Sequence, residues 1–125
     1  MALQLDHTIV PAYRKEESAA FIAHILNGRF EGTWKEFALV RINDVLTLDF
    51  VDEVAFGSHH YAFLASDEEF DTILRRLVGG NHSFGSSPRG HSDGRINNLH
   101  KGRGFYFKCQ DNHLWEVLTH SYVVE

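Results

Sequence analysis

From His59 onward the hydrophobic pattern alternates, then changes period once. In HHYAFLA, Tyr61, Phe63 and Ala65 fall on one strand face and His60, Ala62 and Leu64 on the other. After Ser66 the apolar positions Phe70, Ile73, Leu74 and Leu77 recur at helical spacing, and Gly79-Gly80 ends the run. Ser66 with Glu69 has the sequence of a capping box, in which each residue's side chain satisfies the other's backbone N–H. The pattern predicts a strand, a turn and an amphipathic helix.

An earlier stretch, HTIVPAYRKEESAAFIAHILNG, repeats this organisation: a histidine opens a short apolar strand and a Glu-Glu pair precedes an amphipathic helix. His7 to His60 is a step of 53, while Glu17 to Glu69 and Gly28 to Gly80 are steps of 52, so one indel aligns the two copies. β-prone sequence follows each helix: Trp34 to Ile42 and Val45 to Val51 after the first, with Asn43-Asp44 as a tight turn, and Gly104 to Phe107 and His113 to Thr119 after the second. Between Gly79 and Gly104 the chain is rich in Gly, Ser, Asn and basic residues, which reads as a mobile loop over one strand of the second copy. The order is strand, helix, then two or three strands, twice. It implies an α+β fold of two similar modules, about 1–53 and 54–125, within one domain spanning residues 1–125, their sheets curving around a shared cleft.

Composition narrows the partners. A net charge of −5 disfavours a nucleic-acid partner, since phosphate binding needs clustered cations, and favours a small molecule. Cys109 is the single cysteine, so no intrachain disulfide can form and a reducing compartment is expected. With neither a signal-like start nor a run of eighteen apolar residues, the expectation is a cytoplasmic protein with no membrane partner.

Three side chains stand out for chemistry. Glu116 shares a strand face with Leu114 and Leu118, which would aim a carboxylate at the core, and His7 is flanked on its own face by Leu5 and Ile9. His60 opens the second copy as His7 opens the first, so the two imidazoles occupy equivalent points of a duplicated unit. Two neutral imidazoles and a carboxylate can bind Mn, Fe, Co, Ni or Zn and leave positions for water and substrate. A satisfied core histidine is the ordinary alternative for any one of them.

HYAF at His60–Phe63, the DEEFD that follows, His7, and GRGFYFKCQDNHLWE at Gly102–Glu116 together resemble the vicinal oxygen chelate superfamily. That superfamily includes glyoxalase I, fosfomycin-resistance transferases, extradiol dioxygenases and bleomycin-resistance proteins. The resemblance covers nearly the whole chain and implies paired βαβββ modules forming a curved mixed sheet around a metal-binding cleft. It implies a divalent cation on His7, His60 and Glu116 that acts as a Lewis acid on vicinal oxygens of a small-molecule substrate. Homodimers, often with each metal site built from both chains, are also implied. The function expected is a metal-dependent enzyme of the glyoxalase or dioxygenase type, a lyase, transferase or oxygenase; the alternative is a sequestering protein like those of bleomycin resistance, which lack a catalytic metal.

The resemblance also separates neighbours. It selects His60 over His59, which strand alternation sends to the opposite face, toward the helix layer or solvent. Tyr106 matches an active-site tyrosine of the transferases and dioxygenases and is a candidate donor to a substrate oxygen, or an ordinary aromatic of the sheet. Arg103 could anchor an anionic group, or be solvated. Glyoxalase I enzymes add an acidic ligand from the last strand of the first module; here VLTLDFVDE offers Asp49, whose register the sequence leaves open. The transferases need a threonine two residues after the first histidine and an arginine nine after the glutamate, where this chain has Ile9 and Glu125, which argues against a phosphonate. The turn before Glu116 departs from the family's Asp-Pro-Asp-Gly-His, and Asn112 stands where glycine is usual. His82, His91, His100 and Cys109 receive no role.

Overall fold

The structure, a computed structural model, describes residues 2–122; Glu125 lies outside them. The chain divides between Gly57 and Ser58 into two compact units. In the first, β1 (His7–Ala12), α1 (Lys15–Leu26), β2 (Arg29–Trp34), β3 (Phe37–Arg41) and β4 (Thr47–Asp52) follow one another. Its sheet has the order β1-β4-β3-β2, with β1 parallel to β4 and the other pairs antiparallel. In the second, β5 (His60–Leu64), α2 (Asp67–Gly79), β6 (Gly104–Lys108) and β7 (Leu114–Leu118) give the order β5-β7-β6, with β5 parallel to β7. The strand starts His7 and His60 and the helix starts Lys15 and Asp67 reproduce the sequence steps of the repeat. The architecture is α+β, two βαβββ modules with mixed sheets.

Three details differ from the sequence reading. The stretch Trp34 to Ile42 is a hairpin rather than one strand: Trp34 ends β2, Lys35 turns in the left-handed region at φ 54°, and β3 starts at Phe37. RFEGTW leaves five of its six residues exposed, so this edge strand carries no apolar stripe to find. The Glu16-Glu17 pair lies in the first turn of α1, not before it. That turn is satisfied from afar, the Lys15 N–H donating to Asp52 Oδ1 at 2.8 Å across 37 residues, so no local capping signal exists.

By contrast, α2 is capped as its sequence announces. Ser66 Oγ accepts from the Glu69 N–H at 3.1 Å, and the Glu69 carboxylate accepts from the Ser66 N–H at 2.8 Å. Ser66→Ala is expected to lower stability by about 1 kcal/mol, read as a shift in the urea midpoint with the slope unchanged.

The third difference concerns the 80–103 segment. It runs along the free edge of β6, where the first module has its remaining strand. Gly85 exchanges two backbone hydrogen bonds with Tyr106, each 2.8 Å, and Asn97 exchanges two with Gly104, at 2.8 and 3.0 Å. Two single-residue bridges thus replace the strand. Gly85 is obligatory here: a Cβ would stand 1.8 Å from the Gly90 carbonyl oxygen.

Each helix covers one sheet face. Val10, Ala12, Ala38, Val40, Leu48 and Phe50 are buried in the first unit with Ala19, Ile22, Ala23 and Ile25 of α1. Phe105, Phe107, Trp115 and Val117 are buried in the second with Phe70, Ile73 and Leu77 of α2. Glu116 therefore does not point into the core as the alternation suggested; with half-buried Leu114 and Leu118 it lies on the face away from Trp115 and Val117. β7 is apolar on both faces, and its bulkier set takes the helix side. The face of His7 is likewise open, with Leu5 64% and Ile9 49% exposed.

Candidate metal centre

In the second module the register aligns Ala62, Glu116 and Tyr106 across the three strands, with His60 two residues before Ala62 on the same face. His60 Nε2 and Glu116 Oε1 lie 2.9 Å apart. The carboxylate is recessed, its side chain 17% exposed against 49% for the imidazole. Burial, with the charge of Glu116 and a hydrogen bond to it, pushes the Tyr106 phenol up to about 12. Tyr106 accordingly keeps its proton at neutral pH and serves as a donor beside the carboxylate. The His60 and Tyr106 ring centroids are 6.1 Å apart.

In the first module, His7 Nδ1 meets Asp6 Oδ2 at 2.8 Å. That hydrogen bond, followed by the charge of Asp49, raises the His7 pKa. The register left open by the sequence is now defined: Asp49 pairs with Ile9 and shares the face of His7, because Leu48 and Phe50 take the helix side. Burial pushes its carboxyl up, with His7 opposing, and its Oδ1 is buried with no hydrogen-bond partner. The bulk of Leu48 and Phe50 was the sequence signal for this register. Among the described residues, no group of three or more His, Cys, Asp or Glu side chains is placed to hold a metal. The structure brings together His60 and Glu116; His7 and Asp49 belong to the other unit.

Arg103 is engaged otherwise. It donates to Asp71 Oδ1 at 2.8 Å and Asp67 Oδ1 at 2.9 Å, and its guanidinium stands 4.3 Å from the centre of the Phe70 ring. This ties the start of β6 to the first turns of α2. His59, on the face opposite His60, meets the Tyr61 hydroxyl at 2.8 Å through Nδ1. Its backbone N–H donates to Nδ1 of fully buried His113, which fixes that nitrogen as an acceptor. Burial pushes the Tyr61 phenol up to about 12. Asn112 holds φ 64° in the turn before β7, the conformation glycine would otherwise supply. Burial pushes the Cys109 thiol up, which disfavours its reactive thiolate.

The segment beside β6 is organised by Asp93. Its carboxylate accepts from the Ser86 N–H at 3.0 Å, the Ser86 hydroxyl at 2.5 Å and the Arg95 N–H at 2.9 Å. The Ser86 hydroxyl is the largest influence holding Asp93 below the usual carboxylate range. A depressed folded-state pKa means that this contribution is complete above the ordinary carboxylate pKa and is lost as pH falls through the lowered one. The Ser86 and Arg95 amide resonances should therefore move together in an acid titration, below the pH at which exposed aspartates titrate. Asp93→Asn should abolish that transition.

Two mixed sheets, each with one face under a helix, and a His–Glu pair on the face opposite the helix place the protein in a recognisable class. Comparison with solved structures makes it specific. At 38% identity and a TM-score of 0.90 the chain matches "Oxidase ChaP-H2" over 98% of its own length and 97% of that chain. "Oxidase ChaP-H1" matches at 34% identity and a TM-score of 0.87, over 98% of this chain and all of that one. The chain belongs to the vicinal oxygen chelate superfamily. A fosfomycin resistance protein, FosX from Listeria monocytogenes, complexed with Mn(II) and sulfate, shares the fold at 21% identity and a TM-score of 0.70, over 98% and 94% of the two chains. No protein-family profile and no curated protein matches. Among the described residues no helix is long and apolar enough to cross a membrane.

Proposed function

We propose that the protein is a divalent-metal-dependent enzyme of the oxidase type, acting on a small molecule that presents vicinal oxygens. The observation that carries this reading is the His60–Glu116 pair at 2.9 Å beside a protonated Tyr106. Two donors each ~2.1 Å from one cation can lie about 3 Å apart, so the spacing of the pair would suit a divalent ion that displaces the proton between them. Its nitrogen and oxygen donors suit Mn, Fe, Co, Ni or Zn. His7 would be the third ligand. The protein is proposed to be a homodimer. Exposed Leu5, Ile9 and Leu64 on the strand faces that carry the histidines supply apolar surface for such an association.

When bound, the cation would polarise the substrate oxygens and, if redox-active, couple them to dioxygen. The chain's own residues do the rest. Glu116 accepts, and Tyr106 holds a proton that it can donate to a substrate oxygen. Asp49, on the face of His7 with one buried oxygen unpartnered, supplies a further carboxylate for the substrate proton or for the cation. Leu114 and Leu118 flank Glu116 on its face, Ala62 and Leu64 continue it on β5, and Arg103 is already neutralised by Asp67 and Asp71. This surface is largely apolar, with Lys108 beside Leu114 as the cation on the same face, and Ile9 at the position where the transferases need threonine argues against a phosphonate.

The oxidase assignment draws on the two oxidases at 38% and 34% identity. Protein reconstituted with Fe(II) or Mn(II) should consume oxygen with catechols or hydroquinones, and the apo form should not. Tight binding of such compounds with no metal-dependent turnover, and no metal sensitivity to His60→Ala, would replace the enzyme with a sequestering protein.

A further inference from the structure

We infer that Asp6 is a positioning residue for His7: its carboxylate holds the imidazole in the Nδ1–H tautomer, so that the Nε2 lone pair is the one presented for coordination. The inference rests on the reading of His7 as a metal ligand. A neutral imidazole has one N–H and one lone pair, and the hydrogen bond made by one nitrogen determines which the other offers. Left to itself, a histidine side chain prefers its proton on Nε2, the tautomer that withholds that nitrogen from a cation. The Asp6 carboxylate can only accept, so Nδ1, 2.8 Å away, carries the proton. His60 differs: its Nε2 faces the Glu116 carboxylate at 2.9 Å, so by the same rule that nitrogen carries the proton in the metal-free chain and releases it on coordination.

Asp6 is itself anchored. Its backbone carbonyl accepts from the Thr47 N–H at 3.0 Å, which extends the β1–β4 pairing one residue before His7. Asp49, two residues along β4 from the partner of His7, influences the imidazole through its charge without a hydrogen bond between them. The Asp6 and His7 side chains are 88% and 57% exposed, so the pair adds little to folding. Its consequence is orientation, as in the carboxylate–histidine–metal arrangements whose outer partner fixes the ring and raises its basicity.

The test uses the full chain with three variants, Asp6→Ala, Asp6→Asn and His7→Ala, and two readouts. Long-range proton–nitrogen NMR of the metal-free protein at mildly alkaline pH should report Nδ1–H for His7 in the wild type and mainly Nε2–H in Asp6→Ala. Titration calorimetry with Mn(II) should give affinity weaker by about tenfold in Asp6→Ala, with most of it restored in Asp6→Asn, whose amide oxygen still accepts from Nδ1–H. Equal thermal stability of the three proteins would separate this from unfolding. Nε2–H in the wild type, or an Asp6→Ala affinity within about twofold of it, overturns the inference. If wild-type Mn(II) binding does not depend on His7 at all, the metal reading itself falls, and the tautomer measurement on the metal-free chain still decides whether Asp6 sets the ring.

Discussion

Glu116→Ala is expected to remove stoichiometric Mn(II) binding, weakening it by more than about 100-fold, since loss of a direct ligand exceeds the 10–100-fold typical of outer-shell partners. Metal-dependent turnover should fall with it. The fold should survive, because Glu116 lies on the face of β7 away from α2 and its loss leaves the packing of Trp115 and Val117 intact. A second readout needs no metal. Glu116 contributes charge and a hydrogen bond to the elevation of the Tyr106 pKa, with burial as the larger cause. In Glu116→Ala, ultraviolet titration should therefore find Tyr106 ionising at lower pH than in the wild type, while Tyr61, raised by burial alone, stays in place. Glu116→Gln should behave as Ala toward Mn(II), since the amide is a poor ligand, and lie between the two in the Tyr106 titration. Wild-type Mn(II) affinity in Glu116→Ala would remove Glu116 from the site and end the proposed function in its present form.

The sequence carried the duplication well because its signals are local. Alternation in HYAFL, the Ser66–Glu69 box and the Phe70, Ile73, Leu77 stripe are each read within one turn or one strand, and all are present in the structure. What escaped is non-local. The first helix takes its N-terminal partner from Asp52, and β2 is a polar edge strand recognisable only by its pairing with β3. Arg103 in a glycine-rich context looked available, yet its two aspartates lie 32 and 36 residues earlier on α2. The same limit applies to the site. Alternation showed that Leu114, Glu116 and Leu118 travel together, but which face of β7 receives the helix depends on the volume competing on each side. Asp6, adjacent to His7, was visible all along. Neighbours on an extended strand ordinarily point apart, which is why adjacency did not suggest a hydrogen bond.

Core and site meet in β7, and Trp115 is where they can be pulled apart. Its indole stacks on Tyr61 at 4.7 Å, Phe63 at 6.2 Å and Phe107 at 6.4 Å between ring centroids, and is 1% exposed. Trp115→Ala should cost about 3–5 kcal/mol, the usual range for truncating a large buried aromatic. That is much of the stability a domain of this size possesses, at roughly 0.05–0.15 kcal/mol per residue. Trp115→Phe tests a different quantity. The Trp115 N–H is buried with no hydrogen-bond partner; Cys109 feels it, but sulfur is a weak acceptor and the geometry falls short of a bond. Removing an unsatisfied buried donor recovers about 1–3 kcal/mol of desolvation, which offsets most of the lost contact, so Trp115→Phe should lie within about 1.5 kcal/mol of the wild type. Urea midpoints at constant slope would separate the two variants. Because Trp115 and Glu116 are consecutive on one strand, a core that stays packed also keeps the carboxylate aimed. Mn(II) affinity should therefore follow stability, nearly unchanged in Trp115→Phe and reduced in Trp115→Ala under conditions where it remains folded. A Trp115→Phe protein as unstable as Trp115→Ala would overturn this account of the indole N–H.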